Sequence, residues 1–454
     1  MFNVQFGKTG FSISYFIILV SYFLFTSCSV QKQIAKSANN DVLDAAPLQT
    51  AHVGISIYEP ATNKYWYDYQ GDKYFVPASN IKIPTCYAAM KYLGDSLVGL
   101  KYVTLGKGNN KDIWVQATGD PTLLHPDFTK QPVIEFFTKD SSVLFALTTN
   151  NQWKDDAYGS GWSWNDYDAA YMAERSLFPV YGNVIRFYGN KEAISIIPNT
   201  VELSYGGTGN NTGGFSFKNK NYNFSRAKDK NLFLWEDAAT ELKYKEIPFI
   251  TSERKTIELL KDTIKGLKLT LSSNISLSNP SLIHSQPTDS LLKPIMHHSD
   301  NFFAEQSLLM VSNERLGMMN DAKIIDTILK TDFKDLPQKP RWVDGSGLSR
   351  YNLFTPQDFV AILNKMKNEF GMKRLKVILP TGGKGTLTNY YIADSNYIYA
   401  KTGTLSGVVA LSGYLYTKKG KELIFSVLVN NHQASGTEVR RAVEKLIQGI
   451  RNKY

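Results

Sequence analysis

The sequence predicts an α+β protein, a mixed α/β chain. An antiparallel sheet built from both chain ends and flanked by helices, with the middle of the chain inserted between them, is one economical arrangement. Alternating apolar residues mark two strands near residue 55 and three more between 397 and 430. An apolar stripe at helical spacing follows the last strand. Between the two sets lies enough chain for a domain of its own. At 43% hydrophobic and 20% charged, the 454 residues exclude a disordered or collagen-like protein. The net charge of +10 comes from 51 Lys and Arg against 41 Asp and Glu, with no block of like charges. That spread argues against a dedicated nucleic-acid binder, so no nucleic-acid partner is expected.

Taken in order, Lys8 precedes an apolar run from Phe11 to Phe25, then Thr26, Ser27 and Cys28. The run falls short of the roughly 20 residues a bilayer span needs, so residues 1–27 read as a secretory signal. Phe25-Thr26-Ser27-Cys28 resembles the lipobox of bacterial lipoproteins, with Phe25 where that pattern usually has Leu. The resemblance implies cleavage before Cys28, a lipid anchor on its thiol, and an exported, envelope-facing protein held to a membrane. Plain secretion with a free Cys28 is the alternative. Only Cys86 remains beyond it, which leaves no intramolecular disulfide once Cys28 is lipidated. Residues 28–47 are polar, without a sustained apolar period, and read as the lipidated cysteine and a tether. The body opens at 48 with Val53, Ile55 and Ile57, a turn over Pro60 to Asn63, then Tyr65, Tyr67 and Tyr69, a hairpin. The closing strands run over Tyr397 to Thr404, Val408 to Tyr416 and Glu422 to Asn430. Val439, Val443, Leu446, Ile447 and Ile450 then share one helical face. The expected division is 48–100 and 286–454 for the main domain and 101–285 for the insert.

Chemistry enters at Ser79-Asn80-Ile81-Lys82. With a helix starting at Ser79, the hydroxyl lies at the helix N-terminus and Lys82 lies one turn later on the same face. Unpaired backbone N-H groups there suit a developing oxyanion. Lys82 can take the serine proton only if burial or a neighbouring cation lowers its pKa. Ordinary residue frequencies give about a few Ser-x-x-Lys matches in a chain of this size, so the motif alone is weak. Ser299-Asp300-Asn301 ahead of a helical run, and Lys401-Thr402-Gly403-Thr404 ending a strand, are each expected by chance in about one chain in ten.

Together, in this order, the three motifs resemble the set shared by penicillin-recognising serine acyltransferases. Ser79 and Ser299 are 220 residues apart, more than a compact β-lactamase places between these motifs. That spacing is similar to the low-molecular-mass class C penicillin-binding proteins, the D-alanyl-D-alanine carboxypeptidase/endopeptidase family. Gly119 to Leu123, Val343 to Arg350 and Leu379 to Leu387 agree with that family, so the resemblance runs from about residue 50 to the end. It implies a β-lactamase/transpeptidase-like domain and a DD-peptidase acting on peptidoglycan stem peptides that end in D-Ala-D-Ala, with β-lactams as covalent inhibitors. Ser79 would be the nucleophile and Lys82 its base, with Ser299 relaying a proton and Asn301 orienting Lys82. Lys401 would be the second cation, keeping Lys82 neutral, and Thr402, Gly403 and Thr404 would bind substrate. The N-H groups of Ser79 and Thr404 would form the oxyanion hole. No cofactor is implied.

Two other classes stay open: a β-lactamase and a non-catalytic wall-binding or sensor lipoprotein. The first would need a base for deacylation, and no Glu-x-x-x-Asn segment stands at the usual position. The second would not require Ser79, Lys82, Ser299, Asn301 and Lys401 together. No metal is expected, because His297-His298 and the other histidines lack zinc-ligand spacing. Trp162, Trp164 and Tyr167 to Tyr171 read as core rather than glycan-stacking residues. Cys86 reads as a small buried hydrophobe. Asp344 and Arg350 read either as a loop-fixing salt bridge or as substrate contacts.

Overall fold

The computed structural model describes residues 30–107, 110–149, 152–189, 194–199, 201–205, 222–238, 241–272 and 275–454. The signal segment, Cys28 and the glycine pairs Gly206-Gly207 and Gly213-Gly214 lie outside the described residues.

Residues 30–47 are not a loose tether. Helix α1 covers residues 30–38 and widens into a π-turn over Asn39–Leu43. Ile34, Ala38 and Val42 recur every four residues on one face and are buried against the sheet with Leu48. One apolar residue per turn, diluted by Lys, Gln, Ser and Asn, is a stripe too narrow to stand out in composition. Lys445 pairs with Asp41 at 2.9 Å, and the Tyr454 hydroxyl donates to Gln33 Oε1 at 3.1 Å. Ile34→Ala is therefore expected to cost about 2–5 kcal/mol of unfolding free energy, seen as a lower denaturant midpoint at unchanged slope. A loosely attached segment would leave the midpoint where it is.

Strands β1 (His52–Glu59) and β2 (Lys64–Tyr69) form the expected hairpin. A 3-10 turn over Ala78–Ile81 then leads into α2 (Lys82–Tyr92). The insert begins with β3 (Ser96–Lys107) and β4 (Asn110–Ala117), followed by α3 (Pro132–Thr138) and β5 (Leu144–Thr148). Two small three-stranded sheets come next. They draw on β6 (Val184–Gly189), β7 (Ile194–Ile197), β8 (Glu202–Tyr205), β9 (Tyr222–Arg226), β10 (Leu232–Asp237) and β11 (Tyr244–Pro248). After α4 (Glu253–Thr263), β12 (Lys268–Leu271) and β13 (Ser281–Pro287) complete a larger sheet in the order β12-β5-β4-β3-β13. β13 runs antiparallel to β3, with Pro287 opposite Ser96, and the Thr288 N-H donates to the Asp95 carbonyl at 2.9 Å. The chain thus leaves the insert beside the point where it entered, and both junctions stand next to α2.

Four helices follow: α5 (Thr288–His297), α6 (Asn301–Leu316), α7 (Asp321–Lys330) and α8 (Pro356–Ile378). The chain closes with β14 (Ile398–Leu405), β15 (Val408–Tyr416), β16 (Glu422–Asn430) and α9 (Gly436–Lys453). The main sheet has the order β14-β15-β16-β1-β2, all neighbours antiparallel, with His52 opposite Asn430 and Tyr58 opposite Ile424. Alternation divides its residues between two cores. Ile424, Leu428, Ala410 and Tyr414 pack with α2, α6 and α8, while Phe425, Val427, Val429 and Leu411 pack with α1 and α9. The stripe Val439, Val443, Leu446, Ile447 and Ile450 is buried there, and Ser435 and Glu438 form a capping box at the start of α9. A third core fills the insert. β14 is an edge strand of the main sheet, and the serine turn packs against it.

Candidate active site

Ser79 lies in the 3-10 turn and Lys82 begins α2, so helical geometry alone brings their side chains together: Lys82 Nζ stands 3.0 Å from Ser79 Oγ. The preceding Ala78 is held at φ 47°, a left-handed conformation costly for a residue with a Cβ. Lys82 is buried, and its amine also meets Asn301 Oδ1 at 2.6 Å and the Ser346 carbonyl at 2.7 Å. Asn301 is the first residue of α6. Asp300 caps that helix by accepting from the Phe303 N-H at 2.8 Å, and Ser299 before it also has a left-handed φ of 60°. From the strand side, Lys401 Nζ donates to Ser299 Oγ at 2.9 Å and to the Thr402 carbonyl at 2.8 Å. Asn80 Nδ2 donates to the Lys401 carbonyl at 3.0 Å, tying the serine turn to β14. The structure therefore brings the five residues together as two hydrogen-bonded groups, Ser79–Lys82–Asn301 and Ser299–Lys401, joined where Asn80 of the serine turn meets the Lys401 carbonyl.

Burial is the main cause that pushes the Lys82 amine down to about 8, opposed by the carboxylates of Asp344, Asp300 and Glu305. Of the two causes expected, burial or a neighbouring cation, burial is the one that lowers it here. Lys401 is itself held well below the ordinary lysine range, by burial first and by the charge of Lys82 second. Burial also raises Asp300 above the usual carboxylate range.

Strand alternation puts Lys401 and Gly403 on the face toward Ser79, and Thr402 and Thr404 on the other. A Cβ on Gly403 would lie 2.8 Å from the Pro77 carbonyl oxygen, so only glycine lets the strand come this close to the serine turn. Gly347, at φ 86°, is subject to the same limit: a Cβ there would reach 2.0 Å from the Ala78 carbonyl oxygen. The Thr404 hydroxyl accepts from Arg440 Nη2 of α9 at 2.7 Å, and Thr402 sits beside the same arginine. Asp344 and Arg350 form no salt bridge. Asp344 is buried and accepts from the N-H groups of Gly347 and Ser349, from Asn352 Nδ2 and from Trp162 Nε1, while Arg350 donates to the Ser406 carbonyl. A groove of about 610 Å³ runs over Ser79 and Asn301, bounded by Thr404 and Arg350 on one side and by Trp162, Asp166 and Tyr171 of the insert on the other.

The family model for the D-Ala-D-Ala carboxypeptidase 3 (S13) family matches residues 34–193 and 273–453. The chain belongs to this S13 family. It is 26% identical over 440 residues to a D-alanyl-D-alanine carboxypeptidase of Actinomadura sp. (strain R39), covering 86% of this chain and 80% of that protein. Its fold is that of penicillin binding protein 4 from Haemophilus influenzae, with a TM-score of 0.69 at 19% identity, over 92% of this chain and 98% of that one. The structure of that protein complexed with a β-lactam matches with a TM-score of 0.66 at 17% identity, over the same shares of both chains.

Several residues of this S13 site carried no sequence signal. The Ser346 carbonyl and Arg440 lie outside the three motifs, Asn80 fills a variable position within the first, and a backbone acceptor leaves no mark on residue type. The aromatic cluster of the insert was expected to be core, yet Trp164 is 66% exposed, and Tyr171, 51% exposed, lines the groove. The run of small residues just before the cluster, Gly159 to Gly161, was the available sign of a surface segment. Cys86 is buried on α2, and burial pushes its thiol up to about 12, so it is inert as a nucleophile.

Proposed function

We infer that this chain is a serine-type D-Ala-D-Ala carboxypeptidase/endopeptidase that acts on peptidoglycan stem peptides and is acylated by penicillin. The observation that carries the reading is a lysine with a depressed pKa, 3.0 Å from a serine hydroxyl at the floor of an open groove. Ser79 Oγ attacks the carbonyl carbon between the two terminal D-alanines and passes its proton to Lys82. The N-H groups of Ser79 and Thr404 stabilise the oxyanion. As the C–N bond breaks, the leaving D-alanine nitrogen takes a proton through Ser299, whose hydroxyl both accepts and donates. Water then attacks the ester, releases the shortened peptide and restores Ser79. Lys401 meets the incoming carboxylate, which favours its charged form. A β-lactam follows the first half of this sequence and remains attached. A sensor without catalysis gains no support from a base so placed.

The test is release of D-alanine from a soluble peptide ending in D-Ala-D-Ala, which must be stoichiometric with the shortened peptide. No release would overturn the reading. Arg440 is the cation nearest the Thr404 hydroxyl, so Arg440→Ala is expected to raise KM for this free-carboxylate substrate by about tenfold while changing kcat less. Attachment to a membrane through Cys28 is part of the same reading and rests on Phe25 to Cys28. Cys28→Ser should move the protein from the membrane fraction to the soluble fraction, and an unchanged distribution would count against it.

A further inference from the structure

Lys82 has three polar partners, and two of them depend on α6. Asn301 is the direct one. The other is reached through Glu305, one turn further along the same face. Glu305 is buried, and its Oε1 accepts from the Ser346 N-H at 2.7 Å. Its Oε2 makes no hydrogen bond and lies 3.5 Å from Arg175 Nη1. Arg175 comes from the insert and is itself fixed by Asp155 at 2.8 Å, by Asp321 at 2.5 Å and by the Asp156 carbonyl.

The peptides on both sides of Ser346 are clamped. The preceding one gives its N-H to Glu305 and its carbonyl to Thr85 Oγ1 at 2.7 Å. The following one gives its N-H to Asp344 at 2.9 Å and its carbonyl to Lys82. We propose that Glu305 is a positioning residue for acylation: it holds the Ser346 backbone so that the Ser346 carbonyl keeps the Lys82 amine against the Ser79 hydroxyl, and Arg175 of the inserted domain holds Glu305 in turn. The insert thereby reaches the catalytic base through three contacts, Arg175 to Glu305, Glu305 to Ser346 and Ser346 to Lys82. This inference rests on the acylation reading above.

The experiment measures the acylation rate constant and the non-covalent Kd for benzylpenicillin separately, with the total adduct per chain, in the unmodified protein, Glu305→Asp and Glu305→Gln. Aspartate keeps the carboxyl group facing Arg175 but withdraws the acceptor from the Ser346 N-H by one methylene. Glutamine keeps the acceptor and removes the titratable carboxyl. Glu305→Asp is expected to acylate about ten- to hundredfold more slowly, with Kd unchanged within about threefold and one adduct per chain. Glu305→Gln is expected to stay within about threefold of the unmodified rate. Glu305→Asp at the full rate would overturn the proposal. So would Glu305→Gln as slow as Glu305→Asp, which would point to charge rather than position, or a loss explained by a smaller acylatable fraction. No adduct on the unmodified protein would instead sink the acylation reading itself.

Discussion

Replacing Ser79 by alanine is expected to abolish the covalent adduct with benzylpenicillin in intact-mass spectra and to cut D-alanine release by about a millionfold, to background. The Ser79 hydroxyl is where the Lys82 amine, the serine turn and the groove meet. Among the described residues the one free cysteine is buried and inert, so it offers no substitute nucleophile in this groove. The variant should fold, because the left-handed strain of the turn sits at Ala78 and not at the replaced side chain. A persistent adduct in Ser79→Ala would place the nucleophile elsewhere. An adduct on the unmodified protein that forms and then vanishes while the drug is consumed would favour β-lactamase action.

The second large effect is a pH dependence set by Lys82. The amine works as a base only when neutral, and burial puts its pKa at about 8. The neutral fraction therefore rises with pH, from about a tenth at pH 7 to a half near pH 8, and saturates above it. The acylation rate should climb nearly tenfold per pH unit on the acid side and level off above about pH 8. An unshifted lysine would postpone that plateau beyond pH 10. Lys82→Met, which keeps the apolar length and removes the amine, should lose about 10²–10⁴ of the rate and also the rise with pH. A flat profile in the unmodified protein would mean that Lys82 is not the base.

Much of the main sheet could be read from residue order, because a half-buried strand alternates and an amphipathic helix repeats every three to four residues. The hairpin of β1 and β2, the run from β14 to β16 and the buried face of α9 all carried that pattern. α1 did not, since Ile34, Ala38 and Val42 are single apolar residues among polar neighbours. The insert's aromatic residues also misled: Trp164 and Tyr171 have the composition of a core but are exposed, and Trp162 and Tyr171 line a groove that exists only once the insert is packed beside Ser79.

The three motifs, their order and the long interval between the first two were determined by the sequence alone, and so was the nearness of Ser79 to Lys82, because a helical turn is local. The pairing of Lys82 with Asn301 across 219 residues and of Lys401 with Ser299 across 102 was decided by the tertiary structure. So were the Ser346 carbonyl, the reach of Arg175 toward Glu305 and the lowered pKa of Lys82. A lysine becomes a base when packing strips water from it, and packing is a property of the whole fold.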